Sequence, residues 1–313
     1  MRIGLDVMGG DFAPEATVLG AILASKALPA DVQLVLIGDQ EQILKILARE
    51  KFDAKNFEIV HTTESIEMGE NPAKAFSAKP NSSIAIGFTM LYKKKLDGFA
   101  SAGNTGAMLV ATMYTIKAIP GVIRPCISTE LPQYTNRSAL LLDVGINPDC
   151  RPDVLFQYGR IGSVYANRVF GIENPKVALL NIGEEEKKGN LVVKSAYDLM
   201  KDNTEFNFIG NIEGNQLFGN CPADVVVCDG FTGNVVLKEA EGFYHIAKEL
   251  NLNNAFFEKF NFENYGGTPV LGVNSTVIIG HGVSNDKAIC AMILKTRDVI
   301  NSQVTEKLIE IYK

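Results

Sequence analysis

The chain has 313 residues, 46% hydrophobic and 21% charged, with 36 acidic against 30 basic side chains and a formal charge of −6. That is enough chain and enough apolar content for one large α/β unit or two lobes, which excludes disorder as the organising state. The acidic balance argues against nucleic acid as a partner, because such binding is driven by basic surface. No run approaches the ~20 apolar residues of a membrane helix, and the chain opens on strand-like residues without a signal-peptide core. Five scattered cysteines (Cys126, Cys150, Cys221, Cys228, Cys290) with no C-x-x-C pair indicate neither a disulfide framework nor a zinc site. A reducing cytoplasm is the expected location.

Residues 2–7 read as a strand, followed by Met8-Gly9-Gly10-Asp11 and by Pro14 in the first turn of a helix over 15–28. A strand at 31–38, an amphipathic helix at 40–50 and a strand at 57–61 complete a β-α-β-α-β opening, which argues for a parallel sheet covered by helices. Residues 64–80 are irregular, and Asn81 or Ser82 caps a helix to residue 95. Lys93, Lys94 and Lys95 suit the C-terminal dipole of that helix; the alternative is a docking patch for an acidic partner. A short strand at 97–101 leads into Ser101-Ala102-Gly103-Asn104-Thr105-Gly106-Ala107 and a helix to 119, ended by Pro120-Gly121.

Residues 124–131 and 138–144 read as paired strands, open to antiparallel pairing, around a turn at 133–137. Asp143-Val144-Gly145-Ile146-Asn147-Pro148 is a strand-to-loop corner before a helix at 153–170. A buried strand at 176–181 enters the loop 182–190. A helix to 201, a strand at 206–209 and a strand at 223–228 follow. Asp229-Gly230-Phe231-Thr232-Gly233-Asn234 reads as a loop opening a helix over 235–250. Phe256, Phe257, Phe260 and Phe262 form an aromatic cluster, and Tyr265-Gly266-Gly267-Thr268-Pro269 turns into a strand at 270–279. His281 to Asn285 then cap a closing helix over 286–312. With no Pro-, Gly- or Ser-rich linker, residues 1–313 read as a single α/β catalytic domain. The alternative is two packed lobes, the last strand and helix returning to the first.

Open parallel sheets place ligands at the carboxyl ends of their strands, and the candidates cluster there. A glycine-paired loop that leaves a strand and opens a helix allows close backbone approach and offers unpaired N–H groups, an anion site. Two such loops, Gly103 to Gly106 and Gly230 to Asn234, suggest a ligand with phosphate character; either one alone is equally a tight packing turn. Lys188 follows three glutamates in the loop after a buried strand, and its ordinary reading is a surface lysine paired to Glu184 or Glu185. Asn234 reads as a helix N-cap or as a working amide. His281 is a helix-end donor or a substrate contact, whereas His61 and His245 have no partner at a recognised spacing. Cys228 reads as a small core residue rather than a nucleophile. Asp6, Asp11, Asp143 and Asp229 could hold Mg²⁺ or serve as turn residues.

Taken as a set, these blocks resemble the PlsX family of acyl-carrier-protein:phosphate acyltransferases. The resemblance runs in order through Asp6-Val7-Met8-Gly9-Gly10-Asp11 with Ala13-Pro14, and Ser101 to Ala107. It continues through Leu179-Leu180-Asn181-Ile182-Gly183-Glu184-Glu185 with Lys188-Gly189-Asn190, Asp229 to Lys238, Tyr265-Gly266-Gly267 with Leu271-Gly272-Val273, and His281-Gly282. It implies a Rossmann-like α/β/α sandwich with a mostly parallel sheet, related to the isocitrate/isopropylmalate dehydrogenases and the phosphotransacetylases. It also implies a homodimer in which inorganic phosphate attacks the thioester of a long-chain acyl carrier protein. The acyl phosphate product then goes to a membrane acyltransferase that acylates glycerol 3-phosphate in phospholipid synthesis. By position Lys188 and Asn234 look like the catalytic lysine and asparagine. Asp6, Gly9, Gly10, Asp11, Gly103, Asn104, Thr105, Gly106, Asn147, Gly230, Thr232, Gly233 and His281 look like phosphate or substrate contacts. No cofactor or metal is implied.

The chain departs from the family pattern at Ser77, where an arginine is usual, and at Ile146-Asn147-Pro148. The segment between Leu250 and Tyr265 is short and places Lys259 between Glu258 and Glu263, so peripheral membrane contact is left open. Phosphate as nucleophile needs positioning and charge stabilisation rather than an enzyme nucleophile, and a thiol of pKa about 8.5 leaves without strong acid catalysis. The two glycine loops are expected to hold phosphate, Lys188 to neutralise developing charge, and Asn234 to donate to the oxyanion or orient phosphate. The rival readings are a phosphotransacetylase-like enzyme acting on acyl-CoA and a non-catalytic phospholigand-binding regulator. A metal-dependent dehydrogenase of the same fold has less support, since no acid triplet stands at helix spacing.

Overall fold

The computed structural model describes every residue except Asn136, and the backbone but not the side chain of Phe262. In chain order the elements are β1 (Arg2–Asp6), α1 (Glu15–Ala27), β2 (Gln33–Gly38), α2 (Gln40–Arg49), β3 (Phe57–His61), α3 (Pro72–Ala78), α4 (Ser83–Tyr92), β4 (Gly98–Ser101) and α5 (Thr105–Ala111). These are followed by β5 (Cys126–Leu131), β6 (Ala139–Leu142), α6 (Pro152–Phe170), β7 (Lys176–Asn181), α7 (Leu191–Met200), β8 (Asn207–Glu213), β9 (Val225–Val227) and α8 (Gly230–Glu249). The chain ends with α9 (Ala255–Glu258), β10 (Thr268–Leu271), β11 (Thr276–Ile279), α10 (Asp286–Ser302) and α11 (Val304–Tyr312). It divides into two compact units, one of Met1–Lys117 with Phe262–Asn301 and one of Ala118–Asn261 with Ser302–Lys313. None of the helices among the described residues is long and apolar enough to cross a membrane.

The first unit carries strands in the order β3-β2-β1-β4-β11-β10, parallel except where β10 runs antiparallel to β11. Ile3, Leu5, Val35, Leu36 and Phe99 are buried as continuous apolar runs, which requires helices on both faces. Side chains alternate along a strand. Accordingly Phe99 of β4 meets Gly87 of α4, while the neighbouring Gly98 meets Thr296 and Ile300 of α10 on the opposite face. Three expectations are corrected in this unit. The irregular stretch contains α3, whose Asn71 caps by accepting from the Lys74 N–H with Pro72 in the first turn. The helix after Gly106 ends at Ala111 and widens into a π-turn over Thr112–Ile116. The strand read at 270–279 is an antiparallel pair, because Gly272 at φ +83° turns the chain between β10 and β11.

The second unit carries β5-β6-β9-β7-β8, with β5 and β6 antiparallel and the rest parallel. β9 is completely buried, and α6 lies close enough that a Cβ on Gly162 would sit 2.4 Å from Val225. α11 packs on α6, where the Arg160 guanidinium donates to the Ile311 carbonyl at 3.2 Å and lies 4.6 Å from the Tyr312 ring centroid. The closing helix is therefore two helices, broken at Gln303, which is left-handed at φ +54°. β8 runs to Glu213, longer than expected, with a register shift opposite Ala178.

The predicted turn at 133–137 lies outside the described residues at Asn136. The predicted cluster of aromatics does so at the side chain of Phe262. The rest of that cluster is engaged within the unit: Phe256 packs tilted against Tyr134 with ring centroids 4.6 Å apart, and Phe260 against Phe218 at 5.1 Å. The Lys259 ammonium donates to the carbonyls of Gln133 and Thr135 at 2.7 and 2.8 Å. The mostly parallel α/β architecture read from the sequence holds.

Candidate functional site

In the second unit the chain leaves β6 at Asp143, which is fully buried. One carboxylate oxygen accepts from the Ile127 and Ile146 N–H groups at 3.1 and 3.3 Å, the other from the Asn147 N–H at 2.7 Å and its side-chain amide at 3.0 Å. The same amide nitrogen also lies 2.8 Å from the Pro125 carbonyl and 2.7 Å from the Tyr158 hydroxyl, so its two hydrogens are shared among three acceptors. Burial pushes the Tyr158 phenol far up, and it pushes the Cys150 thiol beside it to about 11. Asn147 was expected to contact the ligand, but its side-chain amide is engaged in holding this corner. Asp143, read only as a turn or metal acid, is the hub of the corner; its place four residues before Asn147 at a strand end was the available signal.

The glycine-rich stretch after β9 is not a loop. Asp229 is the N-cap of α8, accepting from the Thr232 N–H at 2.8 Å and the Thr232 hydroxyl at 2.9 Å, and the helix begins at Gly230 rather than Val235. The Gly230 N–H donates to the Asn147 carbonyl at 2.7 Å and the Gly233 N–H to the Asp229 carbonyl at 3.0 Å. Of the first-turn amides this leaves the Phe231 N–H for an anion. The glycines answer to packing: a Cβ on Gly233 would stand 1.9 Å from the Asp143 carbonyl oxygen, and one on Gly230 2.9 Å from Asn147 and the Asp143 carboxylate. Asn234 is therefore not a cap. It sits in the second turn, half-buried, with Gly145, Pro148, Phe231 and Val235 around a cavity of about 470 Å³. Its side-chain amide makes no hydrogen bond among the described residues.

Lys188 lies in the loop after β7, the strand beside β9. The loop backbone is well anchored. Asn181 accepts from the Ile182 N–H at 2.8 Å and donates to the Lys188 carbonyl at 3.2 Å, and Asn211 donates to the Glu185 carbonyl at 3.0 Å. Gly189, at φ +90°, sits where a Cβ would strike the Asn181 amide at 2.4 Å. The Lys188 ammonium itself is half exposed and only loosely placed, 4.0 Å from Glu185, while Glu184 takes a bond from Gln216 instead. A second cavity, about 310 Å³, opens beside this loop between β7, β9, α7 and α8. Most of its lining comes from two of the sequence motifs, Leu179 to Asn190 and Asp229 to Asn234, although neither motif by itself indicated a cavity.

The remaining expected contacts belong to the first unit. Asp6 is buried at the end of β1, accepting from the Ser101 hydroxyl at 2.6 Å and the Met8 N–H at 3.0 Å. Burial raises its pKa, against the lowering effect of hydrogen bonds from Ser101, Ser83, Met8 and Gly9. Gly9 lets the β1 and β4 loops touch, since its Cβ would lie 2.4 Å from the Asp6 carboxylate and 2.7 Å from the Gly103 nitrogen. Gly10 has φ +108°, and the Asp11 N–H donates to the Gly282 carbonyl at 2.7 Å. Asn104 caps α5 through the Ala107 N–H and donates to the carbonyls of Glu67, Met68 and Glu70, each at 3.1 Å. A Cβ on Gly106 would lie 2.4 Å from Pro72, so this glycine serves the α3–α5 contact. Thr105 is exposed and His281 half-buried, its carbonyl accepting from the Ser284 N–H at 3.0 Å. Lys93 and Lys95 rim a further cavity with Arg2, which Glu58 holds at 2.8 Å.

The family model described as "Fatty acid synthesis protein" matches residues 1–307. The chain belongs to that family. A phosphate acyltransferase from Dictyoglomus turgidum is 43% identical over 329 aligned positions that cover 99% of this chain and 97% of the relative. The resemblance read from the motif blocks thus holds, and the chain is an enzyme, an acyltransferase. Among solved structures, the EutD phosphotransacetylase of Staphylococcus aureus is similar with a TM-score of 0.66 and 19% identity, covering 96% of this chain and 94% of that one. A 4-hydroxythreonine-4-phosphate dehydrogenase from Burkholderia phymatum is similar at a TM-score of 0.51 and 18% identity, covering 96% and 98%. These structural likenesses concern the fold, which both kinds of enzyme share with this family member.

Proposed function

We propose that this acyltransferase moves a fatty acyl group from the thioester of an acyl carrier protein to inorganic phosphate, releasing acyl phosphate and the carrier thiol. A phosphate oxygen attacks the carbonyl carbon, the C–O bond forms, the C–S bond breaks, and the thiolate leaves and takes up a proton. Membership of a fatty-acid-synthesis family whose curated relatives are named for phosphate supports this acceptor and a donor of that metabolism. The observation that carries the reading is a firmly anchored loop after β7 carrying the loosely held Lys188 ammonium, together with the Asn234 amide, unpaired among the described residues, in the second turn of the helix that follows the neighbouring strand β9. In the proposed step Lys188 offsets the charge growing on the thioester oxygen, and Asn234 donates to that oxygen or to phosphate. The cysteines do not compete as nucleophiles: burial pushes Cys126 and Cys228 well above the ordinary thiol range.

Five free thiols support a reducing cytoplasm as the working location. The exposed Phe243, Ile246 and Leu250 along α8 support peripheral contact with the membrane, where the amphiphilic product would meet an acyltransferase for glycerol 3-phosphate. We also read the working enzyme as a homodimer, on the family resemblance, with sedimentation as the check.

The test is a hydroxylamine trap for acyl phosphate with palmitoyl carrier protein plus phosphate, beside acetyl-CoA plus phosphate. Hydroxamate from the first is expected; formation only from acetyl-CoA assigns a phosphotransacetylase activity instead. Lys188→Ala and Asn234→Ala should each lower kcat by about 10²–10³ with melting unchanged. Near-normal turnover in either removes that residue from the mechanism.

A further inference from the structure

We propose that the cavity between β7, β9 and the first turns of α7 and α8 holds the acyl chain of the donor; this rests on the acyl-transfer reading above. Its inner wall is core: Leu155, Leu179 and Val227 are 2%, 1% and 0% exposed. The cavity around Asn234 is different, a surface depression whose Pro148, Phe231, Val235, Lys238 and Glu239 are all exposed. The first is the more enclosed of the two, as taking an alkyl chain out of water requires.

The polar groups on its lining make few demands of a ligand. The Asp229 carboxylate already accepts from the Thr232 N–H and hydroxyl, and the Thr232 hydroxyl is thereby used as a donor. The Asn181 oxygen accepts from Ile182 and its nitrogen donates to Lys188, while the Asn190 oxygen accepts from Val193. A site whose lining polar atoms are mostly bonded to one another, between apolar walls, favours an apolar occupant, since binding one strands few hydrogen bonds.

The mouth is apolar as well. Ile182 lines it at 80% exposure, and the half-buried Val193 lines it from the first turn of α7. An apolar side chain so exposed on the lining gives an entering chain an apolar contact at the rim. Lys188 shares its loop with Ile182 and Gly189, and its carbonyl is bonded to the lining residue Asn181. A chain lying in the cavity therefore carries its thioester end out beside the lysine.

Val193, half-buried in the first turn of α7, lines the cavity and reads chain length in this arrangement. Val193→Phe narrows it. The hydroxylamine trap, run with palmitoyl and butyryl carrier protein, should show the palmitoyl-to-butyryl ratio of kcat/KM falling about 10-fold or more. An unchanged ratio overturns the proposal. A second readout needs no turnover. The chain contains no tryptophan, so Ile182→Trp, at a lining side chain already in solvent, places a single, selectively excitable tryptophan at the mouth. Its emission should shift to the blue, saturably, on titration with decanoate, and Val193→Phe in the same chain should abolish the shift. No saturable shift, or the same titration in both chains, overturns the proposal. If wild-type protein yields hydroxamate from neither donor, the acyl-transfer reading fails and the fluorescence outcome decides the cavity by itself.

Discussion

Two glycines on α8 should respond to the same substitution with opposite signs. Gly233 lies in the first turn, and a Cβ there would stand 1.9 Å from the Asp143 carbonyl oxygen and 3.0 Å from the Cys228 sulfur. Ordinary contacts of a Cβ begin at 3.4 Å, so the helix and the end of β6 would have to part by about 1.5 Å. Neither is free to move. The Asp143 N–H donates to the Cys228 carbonyl at 3.0 Å, the Cys228 N–H to the Leu142 carbonyl at 2.9 Å, and the Asp143 carboxylate holds the following loop. Overpacking typically costs about 1–3 kcal/mol when side chains can adjust. Main chain against main chain belongs at the upper end, about 3 kcal/mol. Alanine returns about 1 kcal/mol through its helix propensity. Gly233→Ala should therefore lose about 2 kcal/mol, roughly 4–8 °C of Tm at the 2–4 °C per kcal/mol of larger domains.

Gly242, nine residues further along the same helix, has nothing within 4 Å of its Cβ position. Gly242→Ala should gain up to about 1 kcal/mol from propensity alone. Thermal and urea unfolding of the two variants beside the wild type measure both signs at once. A Gly233→Ala protein as stable as the wild type, or one that follows Gly242→Ala upward, would refute the packing account of this turn. It would return the stretch to the reading of a glycine-paired loop that offers its N–H groups to an anion.

Asp229→Ala removes the cap of α8 and the partner of the Thr232 hydroxyl, and should cost about 1 kcal/mol in urea unfolding; no loss would mean that the cap is dispensable. Burial raises the Asp6 pKa in the folded chain above its ordinary 3.8. The folded state then binds the proton more tightly than the unfolded state, so the contribution of Asp6 to stability is full below the ordinary value and declines as pH rises through the folded one. Asp6→Asn should flatten that segment of the curve of stability against pH; an unchanged slope on the acid side would show that Asp6 is not responsible for it.

Much of the fold is legible because alternation of strand and helix leaves a period that survives local irregularity. The opening through β3 was read element for element. The misses have identifiable causes. Asn71-Pro72 is a cap followed by a first-turn proline, a signal for α3 that the surrounding Gly and Pro obscured. Leu271-Gly272-Val273 reads as one apolar run, and only the left-handed Gly272 shows that two strands meet there. Gln303 breaks the last helix although nothing in its chemistry marks a break. At the site, Asn104 and Asn147 stand out in the sequence for the same reason that makes them structural, since each uses its amide to fasten a corner. The cavity beside the Lys188 loop was legible only as two separate motifs, Leu179 to Asn190 and Asp229 to Asn234, because what brings them together is the pairing of β7 with β9, which no spacing in sequence records.

The six residues from Asp229 to Asn234 divide by what holds them. Asp229 and Thr232 satisfy one another at the helix start, and Gly230 and Gly233 are small because the Asp143–Asn147 corner fills the space a side chain would need. Each of these four is accounted for by the fold, and changing it alters stability before it alters chemistry. Phe231 and Asn234 are not accounted for in this way. They stand three apart on the helix, which puts them on adjoining parts of one face, and both line the same cavity. One is 66% exposed, and the other has an amide without a partner among the described residues. On the proposed mechanism the donor of this motif is Asn234, with Phe231 beside it on the cavity wall, while the glycines that draw the eye in the sequence serve the packing of the helix start.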